Sequence, residues 1–144
     1  MGNLRIKYLG IKDVEVSTEP LILAGRSCHS MTYTDALDMG LIKGNKNGWR
    51  IPSISEWKFL FPLEKLGIIS FPSYYYLTSD IDPEYIPKKI RDSDPEIQEM
   101  IEEDPYYLEE SGIAVVYIWD TQMEDEWGGE YDGNSYGYIL IRDL

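Results

Sequence analysis

The chain has 144 residues, enough for one domain with a sizeable core and too few for two ordinary ones. It is 43% hydrophobic and 27% charged, a globular composition that argues against wholesale disorder. A net charge of −13 disfavours direct binding to nucleic acid or an anionic membrane and favours a basic partner or metal cations.

Residues 1–5 carry neither an apolar signal core nor a small-residue cleavage site, and Ile6 stands where a myristoylation motif wants Ser or Thr. No apolar run approaches the roughly eighteen residues of a membrane helix, so the expected setting is cytoplasmic or virion-associated. Leu4, Ile6 and Tyr8 alternate with Arg5 and Lys7, the two-residue period of a half-buried strand. After a turn around Ile11-Lys12-Asp13 the pattern resumes at Val14-Glu15-Val16, and residues 21–24 read as a further short strand stopped by Gly25. A first helix is expected after Thr32 or Thr34, with Ala36, Leu37 and Leu41 on one face and Met39 and Ile42 flanking it. The polar, glycine-rich residues 43–48 end it.

The sharpest local signal comes next. Ser53-Ile54-Ser55-Glu56 has the S-x-x-E spacing of a capping box, in which the serine hydroxyl and the glutamate carboxylate each satisfy one orphan amide. Trp57, Leu60 and Phe61 then recur at i, i+3 and i+4, and Pro62 ends or bends the helix. Residues 73–79 are aromatic and β-branched enough for a strand.

Residues 80–111 hold four prolines and twelve acidic side chains and read as an acidic insertion without a core of its own. One helix is expected in it, from Pro95 to about Glu103, capped by Asp94, with Ile97, Met100 and Ile101 as its buried edge. Residues 113–119 are almost wholly apolar, as in a central strand, and residues 120–135 read as a long loop rich in glycine and carboxylates. An alternating strand over residues 136–142 closes the chain. The expected fold class is α+β: two early helices on a small mixed or antiparallel sheet, with long loops and the acidic insertion, in a single domain over residues 1–144.

The segment Gly48-Trp49-Arg50-Ile51-Pro52-Ser53-Ile54-Ser55-Glu56-Trp57 resembles the Trp-Arg-Leu-Pro-Thr-x-x-Glu-Leu signature of the bacterial and phage DUF1566, or Lcl-type, domains. Tyr76-Leu77-Thr78-Ser79 stands where that family has a Tyr-Trp-Ser-Ser-type strand, and residues 138–142 stand for its closing strand, here without the cysteine. The resemblance covers residues 31–80 and 113–142, with its specific part at residues 48–57. It implies a C-type-lectin-like fold and a binding or structural role, and it implies no reaction.

Chemistry finds little purchase in the sequence. The one cysteine, Cys28, precludes an intramolecular disulfide. It is followed directly by the one histidine, His29, an arrangement poor for a nucleophile and its base and short of a four-ligand cysteine–histidine zinc site. The pair is expected to be a semi-buried cysteine beside a surface histidine, and the two cysteines of a formylglycine-generating oxidase are lacking. Glu19-Pro20-Leu21 and Trp119-Asp120-Thr121 each break the sugar-binding calcium pattern of lectin-like domains, which leaves only generic carboxylate loops at residues 124–126 and 132–134. Neither a catalytic residue, a metal site nor a cofactor is expected.

The aromatic residues point elsewhere. Trp49 and Trp57 are expected in the core. Trp127, Tyr131 and Tyr136 sit among glycine and the carboxylates Glu124, Asp125 and Glu126, and Tyr106 and Tyr107 sit in the acidic insertion. Amphipathic rings on polar segments are favoured anchors at protein interfaces. These eight residues are therefore the candidate partner-binding set. The leading expectation is a non-catalytic interaction module that binds a protein partner, a basic one by charge, with two settings open for the module itself: a phage virion or accessory protein, or an intracellular bacterial protein. The alternative is an acidic inhibitor that imitates DNA, and calcium or glycan binding ranks below both.

Overall fold

A computed structural model describes residues 3–8, 12–42 and 48–144. Strands β1 (Leu4–Tyr8) and β2 (Lys12–Ser17) pair antiparallel, with Leu4 opposite Val16 and Tyr8 opposite Lys12. Ile11, at the expected turn, lies outside the described residues, while Lys12 and Asp13 already belong to β2. Strands β3 (Leu21–Leu23) and β4 (Arg26–Cys28) form a separate hairpin. Its two-residue turn puts both Ala24 and Gly25 at positive φ, the twist that a tight hairpin demands.

Strand β5 (Met31–Thr32) leads into helix α1 (Tyr33–Asp38), which Thr32 caps by accepting the Asp35 amide. The helix ends at Asp38, about one turn earlier than its apolar pattern suggests. Leu41 is buried beyond its end, and Leu37, Met39 and Ile42 pack at the margin of the core. Most of the glycine-rich segment after it, residues 43–47, lies outside the described residues. Helix α2 (Ile54–Leu60) begins with the expected capping box: Ser53 Oγ accepts the Glu56 amide, and Glu56 accepts the Ser53 amide. Pro62 then opens a further turn, α3 (Pro62–Lys65), so it bends the chain instead of ending the helical path.

Strand β6 (Tyr75–Ile81) runs antiparallel to β7 (Val115–Asp120), which is central in its sheet, and β7 pairs with β8 (Asp125–Tyr131). The excursion between β6 and β7 holds α4 (Lys88–Ser93), α5 (Pro95–Glu103) and α6 (Tyr107–Glu110). The helix starting at Pro95 under an Asp94 cap is there as read, and two more flank it. Met100, expected at its buried edge, is 41% exposed.

Two further expectations are corrected. Residues 120–135, expected as one long loop, hold a seven-residue strand: β8 is the outer strand of its sheet, where water reaches one side, so its carboxylates carry little burial cost. Residues 136–142 are two strands, because the chain changes partners. β9 (Ser135–Tyr136) pairs with β5, Gly137 bridges Tyr76, and β10 (Leu140–Asp143) pairs with β2, which brings the last strand beside the first hairpin.

The result is a mixed α+β structure of several small antiparallel sheets. The alternation along residues 138–141 has a plain physical meaning. Ile139 and Ile141 enter one apolar cluster, with Val14, Val16, Trp57, Leu60 and Trp119. Tyr138 and Leu140 enter a second, with Met31, Ala36, Ile51, Leu77 and Val116. The closing segment thus runs between two cores and feeds each with every other residue.

Candidate interaction surface

The resemblance motif is framework. Arg50 grips Glu56 with two parallel bonds, Nη1–Oε1 at 2.5 Å and Nη2–Oε2 at 2.7 Å, and reaches Asp143 at 3.1 Å. Its backbone exchanges both hydrogen bonds with Ile141. The same carboxylate therefore caps α2 and fixes the arginine, and the Glu56 bonds foremost raise the already high Arg50 pKa. Trp57 is fully buried, with its indole N–H on the Leu77 carbonyl. Trp49, expected in the core, is only half buried, with the Arg142 guanidinium 4.5 Å over its ring. Cys28 is half buried and His29 exposed.

A buried ion pair ties the acidic excursion to the rest of the molecule. Arg91 of α4 is 2% exposed and Asp132 is fully buried. Arg91 donates to both Asp132 oxygens, at 2.9 and 3.1 Å, and to the carbonyls of Ile86 and Ile113. The Tyr85 hydroxyl adds a 2.7 Å bond to Asp132. Burial first, and the Asp132 carboxylate second, push the Tyr85 phenol far above its ordinary range. Asp132 is thus engaged with a buried cation, which removes it from the generic cation loop at residues 132–134. Among the described residues, no three His, Cys, Asp or Glu side chains group so as to hold a metal ion.

Strand register separates the eight expected partner-binding residues. Across β7 and β8, Ile118 faces Trp127, Val116 faces Glu130 and Asp120 faces Asp125, so Trp127, Glu130 and Asp125 share one face of the pleat. Tyr75 faces Asp120 from β6 and joins them. Tyr136 completes this face: its ring meets Tyr75 edge-on at 6.3 Å, and its hydroxyl donates to Glu130 at 2.5 Å. Burial, then the Glu130 bond, raise the Tyr136 pKa to about 12, so it remains a donor at neutral pH. The surface is open, with Trp127 at 51%, Tyr75 at 44% and, in the β7–β8 turn, Met123 at 66% exposure.

The other residues point elsewhere. Glu126 faces Trp119 and Tyr131 faces Val115, which places both on the opposite face of the sheet. Glu124 adopts positive φ in the turn and pairs with Lys65. Tyr106 is exposed and Tyr107 half buried at the start of α6. Sequence reading missed Tyr75, which it placed in a strand without asking which side it faced. The Tyr74-Tyr75-Tyr76 run held the clue: on a strand only alternate rings can enter one core. Tyr76 is the buried one, at 3% exposure.

No helix among the described residues is long and apolar enough to cross a membrane. The chain matches no family model and no curated protein.

Proposed function

We propose that this chain is a non-catalytic protein-interaction module with a C-type-lectin-like fold, which binds a protein partner through the Tyr75–Trp127–Tyr136 face. The observation that carries the reading is Trp127: a half-exposed indole on an outer strand, sharing one sheet face with the half-exposed Tyr75 and flanked along its own strand by two carboxylates. Monomeric surfaces rarely group large rings in this way without a use for them, and such rings dominate binding energy where interfaces form. The lectin-like reading is supported by the first and last strands sharing one sheet, by helices α1 and α2 preceding the β6–β7–β8 sheet, and by the Arg50–Glu56 pairing inside the motif.

A second reading, DNA mimicry, draws on the excursion. Glu96, Glu99, Glu102, Glu103, Glu109 and Glu110 are exposed on α5 and α6, and helices can hold carboxylates at fixed spacing as loops cannot. The two readings separate in a pull-down from host lysate at low and high salt, using Trp127→Ala/Tyr75→Ala beside a variant with Glu96, Glu99, Glu102 and Glu103 changed to glutamine. A partner retained at high salt and lost with the aromatic variant supports the module. A DNA-binding protein lost with the glutamine variant, and unaffected by the aromatic one, replaces the module with mimicry.

A further inference from the structure

The aromatic face carries a charge pattern that narrows what it accepts. Trp127 lies between two carboxylates on its own side of β8, Asp125 two residues before it and Glu130 just past the Gly128-Gly129 irregularity. Glu126 and Tyr131 occupy the other side of the same outer strand, so a carboxylate and a ring flank β8 on both faces. Helix α6 packs near β8 and brings the exposed Glu109 and Glu110 to that part of the molecule. Lys65 reaches the β7–β8 turn and is paired there with Glu124.

A ring flanked by carboxylates suits a guanidinium better than an ammonium. The guanidinium is planar, stacks on an indole face, and still presents edge N–H groups to carboxylates beside the ring. The molecule already contains one such arrangement: Arg142 lies over Trp49 while its Nε and Nη2 bond Glu15. Around Trp127 the ring and the carboxylates are present, with Glu130 also accepting the Tyr136 hydroxyl, and no guanidinium of the described residues stacks on the ring. Resting on the interaction reading above, we infer that the partner presents an arginine-bearing segment, whose guanidinium stacks on Trp127 between Asp125 and Glu130. A second copy of this chain is a poor occupant, because a net charge of −13 opposes its approach.

The test is an NMR titration of the full chain at low ionic strength, following the four tryptophan indole N–H signals. The probes are a short peptide alternating arginine with valine and its twin with lysine in place of arginine. The expected result is a Trp127 signal that moves, with the arginine peptide binding about fivefold tighter than the lysine peptide. Trp127→Ala should abolish that preference, and Asp125→Asn/Glu130→Gln should weaken both peptides. An unmoved Trp127 signal, or equal affinity for the two peptides, overturns the inference. Loss of the pulled-down partner in Trp127→Ala/Tyr75→Ala, together with equal peptide affinities, would leave the interaction reading standing and remove only the arginine. Retention of the partner by that variant would remove the interaction reading itself.

Discussion

Replacing Arg91 with methionine tests what holds the acidic excursion to the rest of the molecule. The substitution removes four hydrogen bonds, two to Asp132 and two to the backbone carbonyls of Ile86 and Ile113. It leaves a fully buried carboxylate with Tyr85 as its side-chain donor. Breaking a buried pair from one side costs about 3–5 kcal/mol, because the survivor keeps its desolvation penalty without its partner. For a chain of this size that corresponds to a fall in melting temperature of about 10–15 °C.

Urea unfolding followed by tryptophan emission reads the loss as a lower midpoint at unchanged slope, with Trp57 and Trp119 as buried reporters. Asp132→Leu should cost a similar amount, since it strands the arginine. The double variant Arg91→Met/Asp132→Leu should recover most of the loss, because two matched apolar groups strand no charge. Hydrogen exchange should place the weakening of Arg91→Met in residues 88–110 first. A cost under about 1 kcal/mol for Arg91→Met, or a double variant no better than the sum of the singles, would refute a buried, desolvated pair.

Three further outcomes are expected. Ser53→Ala should cost about 1 kcal/mol by removing the α2 cap, and Glu56→Gln should cost more, since Arg50 loses its bidentate partner as well; thermal melts give the order. Trp57→Phe should destabilise more than Trp119→Phe, by about 1 kcal/mol, because Trp57 gives up its bond to the Leu77 carbonyl while the buried Trp119 indole N–H has no partner among the described residues to lose. Stability should fall at both ends of the pH range. The Asn3 amide and then Arg142 hold Glu15 below the ordinary carboxylate range, and Lys12 and Arg50 do the same for Asp143 against the upward push of burial. Their contributions are present at neutral pH and are lost as pH falls below about 4, through their folded pKa values. Burial raises Tyr33 to about 12, so its neutral form is favoured in the folded chain and stability should decline as pH climbs from about 10 to 12. Urea midpoints across both ranges check the two signs.

What could be read in the sequence was the part that local chemistry decides. The Ser53–Glu56 spacing announces its own hydrogen bonds, Asp94-Pro95 announces a helix start, and the apolar run at residues 113–119 announces a central strand. What stayed hidden was the part decided by pairing partners. Residues 125–131 resist reading as a strand because an outer strand tolerates carboxylates and glycines that an inner one excludes. The candidate face was half legible for the same reason. Trp127 and Tyr136 stood out as rings among acids, but whether they share a face with each other or with Tyr131 is fixed by register against β7, which composition does not encode.

The three inward-turned arginines take this argument one step further. Arg50 joins the α2 cap to Asp143, Arg142 joins the last strand to Glu15 of β2, and Arg91 joins the excursion to Asp132 after β8. Each closes a contact between segments distant in the chain, with a fork that can satisfy a carboxylate and further acceptors together. Their carboxylates are thereby withdrawn from the field that a partner would meet. The acid left facing water lies chiefly on α5, α6 and β8, and the Lys88 and Lys89 side chains beside it are themselves paired, with Asp92 and Asp38. The polarity of the molecule is therefore built in by its folding: cation–carboxylate pairs set the framework at the terminal sheet, and Asp125, Glu126 and Glu130 lie beside the β8 rings with no cation partner among the described residues. A net charge spread evenly over the surface would only keep the chain soluble. A charge left over at one aromatic face also selects what can approach it, and that makes Asp125 and Glu130 a sharper test of binding than the more numerous carboxylates of the excursion.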